Sequence, residues 1–166
     1  MFEQVGVDGD ELQRNSYYNV DNDNANNDWN ISDIRTTHLP AKVSALSSEL
    51  QTNLTNTTIQ TATNGNNGTL VSTSDKLFLA AEKEMFGTRV ISRTEEFSAL
   101  TTWQYRTTHT SQSDRIKYDP TSTARRYWLR SPRSNYGNIV IDIFSDGELG
   151  SSYATNSVRV SLCFAI

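Results

Sequence analysis

Two residues in the C-terminal third of the chain carry carboxyl groups, which can act as general acids or bases. Asp142 and Glu148 flank Asp146-Gly147, a strong signal for a β-hairpin turn. A hairpin would bring the two carboxyl groups towards each other, as cleavage of a glycosidic bond requires. A solvated hairpin gives the same pattern, so glycan cleavage stands as an alternative and no residue is assigned as catalytic.

The other reactive side chains lack partners at a useful spacing. Cys163 is the only cysteine, and a lone cysteine on an alternating strand is usually a small core residue. His38 and His109 lie far apart in polar segments, and HxxxH and CxxC spacings are absent. The chain also has no G-x-S-x-G, P-loop or G-x-G-x-x-G motif. We therefore expect a protein that is not an enzyme and has no cofactor.

One acidic segment begins like a calcium loop. In Asp21–Asn26, Ala25 replaces the third ligand and Asn26 replaces the turn glycine. Ser32 stands where a bidentate glutamate is required. The segment is therefore interpreted as an Asx-rich turn, and no metal site is predicted.

The last forty residues have the composition of a binding face. Stiff alternating strands there carry tyrosine, serine and asparagine, which combine large contact area with adaptable hydrogen bonding. Tyr136, Phe144 and Tyr153 are the expected aromatic anchors. The predicted ligand-binding residues are Arg133, Ser134, Asn135, Tyr136, Asn138, Asp142, Phe144, Glu148, Ser152, Tyr153 and Asn156.

Composition narrows the class of partner. The net charge of −4 argues against a nucleic-acid partner, which would need a clustered basic surplus. No apolar run approaches the length of a membrane span, and the N-terminus has no apolar segment of a secretory signal. Ser, Thr and Asn make up about a third of the chain (19, 20 and 15 residues), as is common in extracellular and virion-surface proteins.

Helices are predicted in the first two thirds of the chain. A short helix capped at Ser32 should end before Pro40, and a second should begin near that proline. Glu82–Phe86 should form one helical turn closed by Gly87, after a buried strand at Leu77–Ala81. Another helix is predicted over 95–106, and a β segment over 57–63.

Strands dominate the C-terminal third. Ile139, Ile141 and Ile143 should share one face of a strand, and a closing strand should run from Val158 to Ile166. The predicted architecture is α+β, with two or three helices packed on a small, mainly antiparallel sheet and joined by long loops. We expect a lead-in over residues 1–28 with one short strand, followed by a single domain over 29–166.

Several blocks together resemble the DUF6273 group of domains. They are Ser32–Thr36, Asp75–Leu79, Glu82–Gly87, Tyr127–Pro132, Ser145–Gly147 and Val158–Leu162. The Tyr-Trp-Leu-Arg-Ser-Pro block is the most specific of these, and the likeness spans about residues 29–166. The closing block differs from the group, since Val160 and Ser161 stand where proline and alanine are usual.

The resemblance implies a C-type-lectin-like fold and a place on phage tails or bacterial surfaces. Some similar domains are the variable proteins of diversity-generating retroelements. It implies a host cell-surface protein or glycan as partner, at a virion tail or cell surface, with a homotrimer by analogy. Calcium-dependent sugar binding is not expected, because the E-P-N, Q-P-D and W-N-D motifs are absent.

Two questions stay open at this point. A structural tail or baseplate domain without its own ligand would fit the same sequence. The N-terminal strand that pairs with the last strand of a lectin-like fold is weak, so it comes either from residues 2–7 or from a longer chain of which this is a C-terminal fragment.

Overall fold

The computed structural model describes residues 2–13, 27–63, 69–101 and 109–166, with the backbone alone for 2–13. The predicted turn at Asp21–Asn26 lies outside these ranges. The helix predicted over 95–106 is shorter than expected, because it ends at Ala99 and Leu100 is extended (ψ 158°).

The described helices are short. A 3₁₀ turn at Trp29–Ile31 and a π-helix at Ile34–His38 lead into the α-helices α1 (Leu39–Ala45), α2 (Ser48–Asn53), α3 (Glu82–Phe86) and α4 (Thr94–Ala99), and a second 3₁₀ turn spans Gln112–Arg115. None of the helices in the described ranges is long and apolar enough to cross a membrane.

Nine strands are described. They are β1 (Phe2–Gln13), β2 (Thr57–Ala62), β3 (Leu70–Asp75), β4 (Lys117–Tyr118), β5 (Ala124–Arg125), β6 (Tyr127–Pro132), β7 (Ile139–Ile143), β8 (Leu149–Tyr153) and β9 (Ser157–Ala165). Five of them form a sheet in the order β1-β9-β6-β7-β8, and β2-β3 and β4-β5 are two-stranded. Only β6 and β9 pair in parallel among the described strands. The fold is therefore α+β with small, mainly antiparallel sheets, as predicted.

The N-terminal strand is longer than the sequence suggested. β1 pairs antiparallel with β9 from Phe2↔Ala165 to Gln13↔Ser157, with register shifts between Val5 and Glu11. The strand expected at residues 2–7 thus covers one edge of β9, which would otherwise present unpaired backbone groups.

The prediction that the chain leaves the helical conformation before Pro40 was wrong, whereas the second helix predicted near Pro40 is present, with Pro40 in the first turn of α1. The chain stays helical from the π-helix into α1, since Leu39 keeps helical backbone angles (φ −66°, ψ −41°) next to the proline. The chain instead breaks after α1, where Leu46 is extended (ψ 160°). Ser47 then caps α2, with its Oγ accepting from the N–H of Leu50 at 3.3 Å.

The core lies where β6, β7 and β9 meet the segment at 77–81. Leu77–Ala81 is buried as predicted, but it is an extended segment with a two-way backbone bridge between Phe78 and Cys163 rather than a long strand. The largest apolar side chains with almost no exposure are Trp29, Ile34, Phe78, Leu79, Tyr127, Trp128, Leu129, Ile141 and Ile143.

A buried arginine lies at the centre of this core. Both Nη atoms of Arg130 donate to the Glu84 carboxylate, at 2.6 and 2.7 Å, and Nη1 also donates to the Leu79 carbonyl at 2.7 Å. The same carboxylate accepts the N–H of Ala81 at the start of α3. Burial alone would lower the pKa of Arg130, but the charge of Glu84 and its hydrogen bonds raise that pKa above the ordinary value.

Ser131 extends this polar network to a second helix. Its Oγ accepts the N–H of Glu82 and donates to the Glu96 carboxylate, which also accepts the N–H of Ala62 on β2. The Glu82 carboxylate in turn accepts three successive backbone N–H groups, those of Val90, Ile91 and Ser92. Glu82, Glu84 and Glu96 are all buried, so the network is fully interior.

Removing the central guanidinium should strongly destabilise the fold. Arg130→Met leaves the buried Glu84 carboxylate unpaired, which should cost about 3–5 kcal/mol of unfolding free energy by urea denaturation. Arg89→Met is the matched control, since Arg89 is exposed and should change stability by less than about 1 kcal/mol.

The double variant Arg130→Met/Glu84→Leu should recover part of the loss, because it removes the orphaned charge as well. A single Arg130→Met variant as stable as the Arg89→Met control would contradict a central role for the pair.

Candidate functional site

The turn between β6 and β7 carries the first group of predicted binding residues. The Arg133 guanidinium lies 4.5 Å from the centre of the Tyr136 ring, and its Nη1 donates to Ser151 Oγ at 2.9 Å. One side of the Tyr136 ring therefore makes a cation–π contact with Arg133. The residue is 46% exposed, so the rest of the ring faces solvent.

Backbone hydrogen bonds fix this turn from two sides. The N–H of Ser134 donates to the Ile91 carbonyl at 2.9 Å. The buried side chain of Asn27 donates to the carbonyls of Tyr136 and Ile139, and its N–H donates to the Gly137 carbonyl. Asn135 is exposed and occupies the left-handed region (φ 66°), which asparagine tolerates better than most residues.

The turn after β8 holds two more predicted residues. Tyr153 is 56% exposed, and its carbonyl accepts the N–H of the exposed Asn156 at 2.8 Å. The carbonyl of Asn138 accepts the N–H of Ala154 at 2.8 Å, which ties this turn to the start of β7.

A second group of predicted residues surrounds Arg126. Asp142 was predicted as a surface contact, but it is fully buried, with Arg126 Nη2 at 2.8 Å from Oδ2 and 3.1 Å from Oδ1. The same guanidinium lies 4.4 Å from the centre of the Phe144 ring, which is 37% exposed. Burial raises the pKa of Asp142, and its bond with Arg126 opposes that shift.

The last two predicted residues differ in exposure. Ser152 was also assigned to the surface, but it is buried at 6% exposure. Glu148 is exposed in the turn, where its carbonyl accepts the N–H of Phe144 at 2.8 Å. Of the carboxylates considered for glycan cleavage, one is therefore an interior ion-pair partner and the other is solvated.

Strand register divides the predicted residues between two faces of the β7–β8 hairpin. Ile141 pairs with Ser151, and Ile139 pairs with Tyr153, so these side chains share one face. Val140 pairs with Ser152, and Asp142 pairs with Gly150, on the other face. We name the two groups the tyrosine cluster (Arg133, Tyr136, Ser151, Tyr153) and the arginine cluster (Arg126, Asp142, Phe144).

The turn joining β7 and β8 is held by the 3₁₀ turn at Gln112–Arg115. Gly147 has φ +87°, and a Cβ there would lie 2.2 Å from the Gln112 carbonyl oxygen, so only glycine fits. Arg115 Nε donates to the Gly147 carbonyl at 2.9 Å, and the Tyr127 hydroxyl donates to the Arg115 carbonyl at 2.7 Å. The Asp146-Gly147 turn was predicted correctly, but its support by residues 112–115 was not.

Sequence reasoning missed a set of arginines at one end of the sheet. Arg125, Arg126 and Arg159 line a cavity of about 470 Å³ together with Ala124, Ser145, Asn156, Ser157 and Val158. Of these residues, the predicted binding set held only Asn156. The consecutive Arg125-Arg126 pair immediately before the Tyr127–Pro132 block was the signal available in the sequence.

Cys163 is fully buried, and burial raises the pKa of its thiol above the ordinary value. The neutral thiol is a poor nucleophile, which agrees with the core position predicted for it. No cluster of three or more His, Cys, Asp or Glu side chains that could hold a metal ion occurs within the described ranges.

The structure is an α+β domain whose Trp-Leu-Arg-Ser-Pro segment is interior. Tyr136 is exposed on the turn between β6 and β7, and Tyr153 is exposed at the end of β8. Residues 10–166 match the sequence model of the family described as "Domain of unknown function (DUF6273)". The chain belongs to this family. No curated protein matches the chain. No solved structure matches it either.

The Asp119 carboxylate in the β4–β5 hairpin should make the stability of the folded protein depend on pH. The Asp119 carboxylate accepts hydrogen bonds from Thr121, Arg125 and Thr123, which hold its pKa well below the ordinary 3.8. Because the folded-state pKa is depressed, its stabilising contribution is present above pH 3.8 and is lost as the pH falls towards the folded-state value.

Asp119→Asn should therefore melt below wild type at pH 7, and the difference should shrink as the pH falls below about 4. Arg125→Gln should show the same pH window with a smaller difference at pH 7, since it removes one of several partners. A melting-temperature gap that stays constant from pH 7 to pH 2 would show that the carboxylate charge is not responsible.

Proposed function

We propose that this protein is a non-enzymatic ligand-binding domain that recognises a host surface protein or glycan. We further propose that the domain has a C-type-lectin-like fold and is part of a phage tail or of a surface-displayed variable protein. The pairing of β1 with β9 supports that fold, because it places the first and last strands side by side.

The observation that carries the proposal is the preorganisation of the tyrosine cluster. The turn holding Tyr136 is fixed by Asn27 and Ile91 before any ligand arrives, yet the tyrosine ring itself is almost half exposed. Rigid aromatic side chains give binding energy at a low cost in conformational entropy. Tyr153 projects from the same face and is more exposed still.

The arrangement of the interior supports the same proposal. Trp128 and Arg130 are fully buried, whereas Asn135, Tyr136 and Tyr153 are exposed and give no side chain to the core. Exposed positions of this kind can change with little effect on the fold. That separation is what a diversity-generating retroelement would need in a variable protein.

The proposal predicts that Tyr136→Ala/Tyr153→Ala loses binding to host cells or to an isolated surface ligand by at least about tenfold, since buried interface aromatics often contribute more than 1 kcal/mol each. Binding is measured by flow cytometry and by surface plasmon resonance. Tyr118→Ala is the matched control, because Tyr118 is 57% exposed on β4, outside the tyrosine cluster.

The melting temperature of the double variant should stay within a few degrees of wild type. Unchanged binding by the double variant would reject the tyrosine cluster as the recognition surface. If the wild type binds no ligand and the double variant fails to assemble into oligomers, a structural tail or baseplate role is favoured. If the wild type cleaves a polysaccharide and Asp142→Asn abolishes that cleavage, an enzyme is favoured.

Diversification predicts a feature of the genome. A second, near-identical copy of the region coding for Tyr127–Ile166 should lie near a reverse-transcriptase gene and differ from it mainly at adenines. The differences should fall in codons for exposed residues such as Asn135, Tyr136 and Tyr153 and spare those for Trp128 and Arg130. Sequencing the neighbourhood tests this, and differences spread evenly over both sets would contradict it.

A further inference from the structure

The arginine-lined cavity carries a surplus of positive charge. Its lining includes three arginines and, among the residues whose side chains the structure describes, no carboxylate. The buried carboxylates Asp119 and Asp142 pair with Arg125 and Arg126 respectively, at 2.7 and 2.8 Å. Two carboxylates thus balance two of the three arginines, and Arg159 makes no ion pair with a described residue.

Two of the arginines that line the cavity also have a buried donor without a partner: the Nε atoms of Arg126 and Arg159 make no hydrogen bond with a described residue. A planar guanidinium binds best to an oxoanion that accepts two parallel hydrogen bonds. The surplus positive charge of the lining therefore favours an anionic ligand over a neutral one.

The rest of the lining suggests what carries the anion. Ser145, Asn156 and Ser157 contribute hydroxyl and amide groups around the arginines, and Ala124 and Val158 supply the apolar part. A volume of about 470 Å³ is in the range of small-molecule sites. A ligand that fills this lining would offer one negative charge to the arginines and hydroxyl groups to the neighbouring polar side chains. A sugar ring bearing an acidic group has both, whereas an acidic peptide has carboxylates but few hydroxyl groups.

We propose that the cavity lined by Arg125, Arg126 and Arg159 binds an acidic saccharide, with the guanidinium groups holding its carboxylate or sulfate. This inference rests on the proposed recognition function and adds the chemical class of the ligand. The cavity adjoins the arginine cluster through Arg126, and neither Tyr136 nor Tyr153 is among its described lining residues.

The test is a titration of the intact protein with three saccharides at low salt. Glucuronate and glucose 6-sulfate should each bind at least about tenfold more tightly than glucose, and both should weaken as salt is raised. The two acids distinguish a carboxylate from a sulfate as the preferred group. Binding of glucose as tight as that of both acids would overturn the proposal.

Arg159→Gln is the decisive variant. Among the residues whose side chains are described, none accepts a hydrogen bond from the Arg159 side chain, so we expect the melting temperature of Arg159→Gln to stay within a few degrees of wild type. Affinity for the preferred acid should fall at least about tenfold. Arg159→Lys, which keeps the charge but not the planar fork, should fall between wild type and Arg159→Gln.

Arg89→Gln is the matched control, because Arg89 is exposed and is not one of the residues that line the cavity. Removing one positive charge elsewhere on the surface should leave the affinity unchanged, and a tenfold decrease would count against the proposal. Tri-glutamate binding more tightly than either acidic sugar would overturn the saccharide assignment in favour of an acidic peptide.

Host-cell binding separates this inference from the proposed function. Binding that is inhibited by glucuronate and weakened in Arg159→Gln would support both. Cell binding that neither acid inhibits and that Arg159→Gln retains would overturn the acidic saccharide while leaving recognition intact. Acidic-sugar binding to the pure protein without any cell binding would support the cavity and count against cell recognition.

Discussion

The buried ion pair between Arg130 and Glu84 is the constraint on which the rest of the structure depends. A guanidinium that is fully buried must have its donors satisfied, and here they reach Glu84 on α3 and the Leu79 carbonyl, with Gln60 on β2 at the edge of hydrogen-bonding distance. These partners fix the central strand β6 against three other segments. Apolar packing alone would tolerate sliding between them, whereas this geometry does not.

The consequences of that constraint reach the exposed surface through hydrogen bonds. Ser131, next to Arg130, receives the N–H of Glu82, and the Glu82 carboxylate fixes residues 90–92. The carbonyl of Ile91 then accepts the N–H of Ser134, at the start of the turn that carries Tyr136. The backbone of the turn that carries the tyrosine is thus linked to interior groups by a chain of hydrogen bonds.

Local patterns in the sequence were sufficient for several elements of the chain. The alternation of Ile139, Ile141 and Ile143, the glycine after α3 and the Asp146-Gly147 turn all depend on residues close in the chain, and the structure confirms them. The partners of Arg130 were not predictable individually, because Glu84 lies 46 residues away and the Glu82-Lys83-Glu84 run resembles a solvated helix.

Surface assignments failed where a strand has both faces covered. Alternation alone puts Asp142 opposite the isoleucine face and therefore in solvent, but Arg126 comes from before β6 and covers that side. The same geometry separates the two clusters. Arg133 and Tyr136 meet Ser151 on one face of the β7–β8 hairpin, and Arg126 and Phe144 meet Asp142 on the other.

The strand residues of the tyrosine cluster and of the arginine cluster therefore lie on opposite faces of the β7–β8 hairpin, with Arg126 also donating to the Ser151 carbonyl at 3.2 Å. A binding surface predicted from the C-terminal forty residues as one continuous patch is, in the folded protein, two surfaces with different chemistry. One presents exposed aromatic rings on a turn that the core holds rigid. The other adjoins a cavity with surplus positive charge and unsatisfied donors.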